Sequence, residues 1–328
     1  MGWGSRATTG VVMTFAALAL TACASIDTDS GCGPGADPVG DSVTALQEAL
    51  DAAQPGDVLQ LADTTYSGHF TITASGRGEE EITLCGSRGA VIDGGDSGYA
   101  LHLDGASHWK LDGFGVVGGS KGIMLDASSS NVLTDLEVSH TGQEGIHLRS
   151  GSSGNSIVGS TVHHTGLTMP AYGEGIYIGT AQPNWCEYTE CAPDASDHNV
   201  LLRNTVSETT AEAIDVKEGT SNGVISNNRL SIAGDAQVDS VIDVKGNDWM
   251  LRANQVTASD AGIQIHRILE GWGLRNVLLA NIFDVAADAY AIEVVGDARD
   301  GGNLVGCNNS TASGASIRTN VACTESDD

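Results

Sequence analysis

The chain has 328 residues, with 15 basic against 42 acidic side chains and a formal charge of −27 at pH 7. That balance excludes nucleic acid as a partner, because nucleic-acid binding needs a basic footprint. It also means that an anionic polymer could be held only through a local basic patch or a bound cation. With 43 glycines and only 4 phenylalanines, the composition suits a narrow lumen of Val, Ile, Leu and Ala with a turn at every corner.

In chain order, residues 1–22 read as an export signal. Arg6 is followed by the apolar run Val11 to Leu20 and then small residues, a stretch shorter than the ~20 apolar residues of a membrane-spanning helix. Leu20-Thr-Ala-Cys23 resembles the bacterial lipobox, which implies lipidation of Cys23 and a cell-surface lipoprotein held to the membrane by that group alone. Residues 23–41, rich in Asp, Gly, Ser and Pro, read as a tether. The other six cysteines suit disulfides in an exported chain. Proximity pairs Cys186 with Cys191 and Cys307 with Cys323, leaving Cys32 for Cys85, one of the 15 connectivities that six cysteines allow. Zinc ligation by these cysteines is disfavoured by their spacing and by the lack of grouped histidines.

Ser42 to Ala53 has a Ser cap, Val43, Leu46 and Leu50 on one face, and Pro55-Gly56 as a stop, which predicts a helix covering the open edge of the first coil. Asp57 to Leu61 and Phe70 to Thr73 begin the strands. The order helix, Pro55-Gly-Asp57, Thr65-Tyr-Ser-Gly68, Ile82-Thr-Leu84 and Val91-Ile-Asp-Gly-Gly95 resembles the N-terminal cap of β-helical polysaccharide lyases.

From Leu101 an Ile-x-aliphatic signature repeats as Leu101-His-Leu103, Ile123-Met-Leu125, Ile146-His-Leu148, Ile176-Tyr-Ile178, Ile214-Asp-Val216, Ile242-Asp-Val244, Ile263-Gln-Ile265 and Ile292-Glu-Val294. Second strands open on Asn131, Asn155, Asn199, Asn222 and Asn276, and a further Asn follows at 204, 228, 254 and 281. Asn at a fixed place suits a bend, where αL geometry is tolerated and amides can bond to the neighbouring coil. Several short strands per repeat with no helical period predict an all-β, right-handed parallel β-helix of about eight to ten coils over residues 54–310, with a C-terminal cap and tail at 311–328. This resembles the pectin-lyase-like architecture.

Stacked coils turn equivalent positions into columns. One residue after each first aliphatic come His102, Met124, His147, Tyr177, Asp215, Asp243, Gln264 and Glu293; three after it come Asp104, Asp126, Arg149, Gly179, Lys217, Lys245, His266 and Val295. Both columns are expected on the exposed outer face. Two before it come Tyr99, Lys121, Glu144, Glu174, Glu212, Ser240, Ala261 and Tyr290, which join that face if the chain bends at the intervening Gly or Ala. The longest insertions, at 166–173 and 179–197, flank the crowding, as expected of functional loops on a rigid scaffold. Lys217, Lys245, Arg149, His266 and Arg267 are the candidate basic patch. Glu144, His147, Glu174 and Tyr177 add candidate substrate contacts, and Trp185, Tyr188 and Trp272 are candidate stacking rings.

The Glu212 and Lys217 spacing, followed by Val241-Ile-Asp-Val-Lys-Gly-Asn247, resembles the chondroitinase B and alginate lyase family of calcium-assisted polysaccharide lyases, with Lys245 where that family has Arg. The resemblance implies a calcium-ligand role for Glu212, a general base in Lys217 and a cation or acid in Lys245. A second acidic ligand before Glu212 is absent, so calcium would draw on Glu174 or Asp215. Three readings stay open: a lyase or epimerase acting on a uronate polysaccharide, a glycoside hydrolase using Asp215 and Asp243, and a monomeric surface protein that binds glycan without turnover.

Overall fold

A computed structural model of the chain describes residue 1 and residues 32–325 apart from 34 and 237. Cys23 and the export signal lie outside the described residues. The chain winds as a parallel β-solenoid with three sheets of eleven, nine and ten strands, each running along the stack. Eleven strands in the longest sheet put the coil count slightly above the eight to ten expected.

The nine-stranded sheet carries the Ile-x-aliphatic signatures, and its register reproduces the predicted column. Met124 pairs with His102 and His147, His147 with Tyr177, Tyr177 with Asp215, Asp215 with Asp243, and Asp243 with Gln264. The flanking aliphatics, such as Ile214, Val216, Ile242 and Val244, are completely buried in the lumen. Alternation within each strand therefore sends the polar column outward.

The second column continues the ladder past the strands, since Lys217 N donates to Ile178 O and Lys245 N to Val216 O. The third column also faces outward, because the next residue points into the lumen where little fits. A Cβ on Gly145 would meet Val162 Cγ1 at 2.5 Å, and one on Gly175 would meet Val206 Cγ1 at 2.3 Å. Glycine at these positions lets the backbone close on the neighbouring strand.

The asparagines correct one expectation. Asn222 is itself αL (φ 61°), but the other named asparagines are not; there the residue before is, as at Arg203 (φ 58°), Asn227 (φ 58°) and Ala253 (φ 55°). The Asn that follows is buried and laddered instead. Asn254 Nδ2 donates to Ile225 O at 2.9 Å and to Asn281 Oδ1 at 3.0 Å, while Asn254 Oδ1 accepts from Asn228 N at 3.0 Å.

The predicted cap helix spans Val43–Ala52, with Ser42 Oγ accepting from Ala45 N at 3.1 Å. Leu46 and Leu50 are buried, whereas Val43 is 43% exposed rather than packed. A second short helix, Trp185–Tyr188, was not expected. All three expected cysteine pairs form: Cys186 with Cys191 and Cys307 with Cys323, which proximity suggested, and the remaining Cys32 with Cys85. The last pins the span read as tether, where Asp37–Pro38 also pairs with the strand Val58–Gln60.

Candidate active site

The outer face of the nine-stranded sheet is not exposed, which corrects the sequence reading. Asp215, Asp243, Glu144, Glu174, His147 and Lys245 are all buried. The loop 179–197 helps cover them. It is tied down by Trp185, whose Nε1 donates to Thr180 O at 2.7 Å, and by Asp194, which accepts from Ser150 N and Gly151 N at 3.0 and 2.9 Å. Trp185 is therefore buried packing, 7% exposed, and not a free stacking face.

Between this loop and the loop 166–173 lies a cleft of about 470 Å³. Its walls include Glu144, His147, Arg149, Glu174, Tyr177 and Lys217 from the expected set. They also include Tyr188, expected as a stacking ring, and Tyr99, Lys121 and Tyr172. Tyr99 and Lys121 were legible as column members. Tyr172, 54% exposed on a loop, carried no signal in the sequence. The cleft runs over the coils from Tyr99 to Lys217, so it lies N-terminal of the centre expected. Lys245, Asp243 and His266 sit beside it on the following coils, and Arg267 and Trp272 are half-buried without lining it.

Under the cleft floor, opposite charges alternate from coil to coil. Lys217 Nζ pairs with Asp215 Oδ2, Lys245 Nζ lies 2.8 Å from Asp215 Oδ1 and 2.5 Å from Asp243 Oδ2, and His266 Nδ1 lies 2.8 Å from Asp243 Oδ1. Burial opposes charge on both lysines. The carboxylate of Asp215, joined by Asp243 for Lys245, outweighs that cost and holds both ammonium groups above their ordinary range. Asp243 sits at about 2 despite its burial, because His266 and Lys245 bond to it. The bond to Asp243 raises His266 in turn.

Three further carboxylate contacts shape the walls. Glu144 is paired with Lys121 and lies 3.3 Å from His147 Nδ1, which holds it at about 2 against burial. His147 Nε2 donates to Gly179 O at 3.1 Å and its ring packs on Tyr177 with centroids 4.4 Å apart, so His147 orients the wall. Arg149 grips Asp126 through two bonds of 2.5 and 3.1 Å and lies 3.9 Å above the Tyr188 ring.

Glu174, Glu212 and Asp215 bring one oxygen each within 4.8 Å of one another. Three carboxylates this close cannot all ionise cheaply. Burial, with the charges of Asp215 and Glu144, pushes Glu174 up to about 8, and burial with Asp215 pushes Glu212 to about 7. Glu174 Oε2 is buried without a hydrogen-bond partner. Tyr177 stands next to this group with Lys217 Nζ 4.9 Å from its ring centre, and burial and Asp215 raise its hydroxyl well above the usual phenol range.

Calcium, implied by the family resemblance, fits this cluster poorly. It takes six to eight oxygens, from carboxylates free to turn toward it, whereas both oxygens of Asp215 already hold ammonium groups that would repel a divalent cation. The raised values of Glu174 and Glu212 ease the crowding by favouring their protonated forms.

The coiled architecture and the charged cleft on one sheet define a class. The sequence pattern described as a right-handed beta helix region matches residues 99–267, and the chain belongs to the right-handed β-helix family. Among solved structures it is similar to an alginate lyase from Paenibacillus sp. str. FPU-7, with 32% identity over 85% of this chain and 96% of that one and a TM-score of 0.76. Pectate lyase Pel9A (15% identity, 85% of this chain and 72% of that one, TM-score 0.60) and tailspike protein 2 of an Escherichia coli O157:H7 bacteriophage (14%, 90% and 41%, 0.61) share the fold. No curated protein matches the chain.

Proposed function

We propose that this protein cleaves a uronate-containing polysaccharide of the alginate kind by β-elimination. The observation that carries the reading is the placement of Tyr177, Lys217 and Glu174 in one cleft, with Lys217 Nζ 4.9 Å from the Tyr177 ring. The 32% identity across nearly the whole of an alginate lyase supports the substrate class.

Elimination removes the proton beside the uronate carboxylate, stabilises the charge that builds there, and protonates the departing glycosidic oxygen. The ammonium of Lys217, clamped by Asp215, supplies fixed positive charge for the carboxylate and its enolate-like transition state. This replaces the base role that the family resemblance implied, because an ammonium held above its usual range has no lone pair to offer. Tyr177 is a phenol in the resting cleft and is the proton donor to the leaving oxygen. Glu174, at about 8, takes the proton from carbon in its ionised form, whose share grows as pH rises toward that value. Asp215 and Asp243, with their oxygens engaged by lysines and His266, leave no room for the pair of free carboxyls a glycosidase needs.

The test is turnover of alginate and other polyuronates, read as the conjugated unsaturated uronate. Lys217→Ala, Tyr177→Phe and Glu174→Gln should each remove nearly all of it. New reducing ends without unsaturation would replace this reading with hydrolysis, and binding without turnover would leave a glycan-binding protein. The lipobox-like Leu20-Thr-Ala-Cys23 supports export and anchoring at the cell surface; Cys23→Ser should then move the protein from the membrane to the soluble fraction, and unchanged retention would refute the anchor.

A further inference from the structure

Three of the nine histidines meet outside the cleft, His163 and His164 on the strand Thr161–Thr165 and His140 at the bend just after the adjacent strand Glu137–Ser139. His163 Nδ1 lies 2.7 Å from His164 Nδ1, and His163 Nε2 lies 3.3 Å from Glu137 Oε1. His140 stacks on His164 with centroids 5.0 Å apart and planes 7° from parallel, and its Nδ1 is 3.0 Å from Ser139 Oγ.

We propose that this corner is a transition-metal site, made for an ion that prefers imidazole, such as zinc, with His163 and His164 as its first ligands. The Glu137 carboxylate accepts the Nε2 proton of His163, which leaves the Nδ1 lone pair facing His164. A carboxylate behind a histidine is the arrangement that fixes the tautomer and raises the basicity of a metal ligand. Two imidazole nitrogens 2.7 Å apart share one proton, and a metal ion can take the place of that proton. With zinc–nitrogen bonds of about 2.0–2.1 Å, the two rings need to open only by a fraction of an ångström, and His164 is exposed and free to do so.

Among the described residues the group of three ligand atoms already close together is the one in the cleft, so a third ligand at this corner comes by rotation of a neighbouring side chain. His140 has its Nδ1 committed to Ser139, so its Nε2 is the atom available, and the side chain is exposed and can rotate. Glu208 holds the bend position of His164 on the next coil: Ser207 pairs with His163, and both His164 (φ 54°) and Glu208 (φ 52°) are αL. A bend that tolerates histidine at positive φ accounts for His140 and His164. It does not account for His163, which is within a strand, or for the carboxylate behind it.

The experiment is calorimetric titration of the protein with zinc chloride at neutral pH, beside His163→Ala/His164→Ala, Glu137→Gln and Glu174→Gln variants. The proposal expects saturation near one ion per chain, loss of it in the double histidine variant with an unchanged melting temperature, and weakening by about tenfold in Glu137→Gln. Glu174→Gln should bind like the parent. Absence of saturable binding, undiminished binding in the double histidine variant, or loss of binding in Glu174→Gln would each overturn it.

Discussion

The ammonium of Lys245 lies 2.8 Å from Oδ1 of Asp215 on the preceding coil, and this contact ties the strand behind the cleft to the strand that carries Lys217. Because Lys245 also holds Asp243 at 2.5 Å, one side chain compensates two carboxylates that are 1% and 4% exposed. Removing one partner of a buried pair leaves uncompensated charge, at a cost of about 3–5 kcal/mol. Lys245→Ala should therefore lower unfolding free energy by about that much in denaturant titration. A loss below about 1 kcal/mol would show that the clamp is not structural.

Stability should fall as pH rises through the neutral range. Glu174 and Glu212 titrate at about 8 and about 7 in the folded chain, against 4.5 ordinarily, so between those limits the folded state holds more protons than the unfolded one, and stability drops with pH. Their stabilising contribution is complete below about pH 4.5 and gone above about pH 8. Glu174→Gln should thus raise the melting temperature at pH 8.5 and change it little at pH 4.5. The opposite limb comes from Asp243, Glu144 and Asp126, each at about 2, whose contribution is lost as pH falls from about 4 toward 2. Equal melting temperatures for parent and Glu174→Gln at pH 8.5 would contradict the first limb.

Chelation should leave turnover unchanged. Lys217 supplies positive charge in the cleft with Lys245 beside it, and both oxygens of Asp215 are held by these two ammonium groups. Release of unsaturated product is expected at the same rate with and without a calcium chelator, and a rate restored only by added calcium would return the metal to the site.

The asparagine ladder should be strongly stabilising. Replacing Asn254 with Ala removes the acceptor of Asn228 N and Nδ2 and the donor to Ile225 O, leaving buried polar groups unmatched at about 1–3 kcal/mol each. Thermal unfolding of Asn254→Ala should begin well below that of the parent, and a shift of under two or three degrees would argue that the ladder is incidental.

Much of the fold was legible because a solenoid writes its geometry into the chain. Period-two alternation sends every second side chain out of the lumen, and the repeat length fixes which residues stack, so Tyr177, Asp215 and Asp243 could be aligned by counting alone. The buried Gly or Ala before most of the signatures announced the bend that turns Glu144, Glu174 and Glu212 outward. Two cysteine pairs followed from proximity, and the third was what remained.

Burial, charge state and the position of the cleft depended on tertiary structure. The loop carrying Trp185 folds back over the outer face and converts an expected solvent surface into a low-dielectric one, which sequence spacing cannot express. The sign of the shift at Lys217 turned on whether Asp215 or Lys245 lay nearer, a matter of side-chain rotamers across coils. The histidine corner is assembled from adjacent coils, where ring orientation, and not sequence distance, decides which nitrogens face one another. The sequence by itself determined the coil, its register and the residues that share a face, since these follow from local periodicity. Only the tertiary structure decided which of those residues are desolvated, paired and open to a ligand, because these properties arise from loops and neighbours that no periodicity specifies.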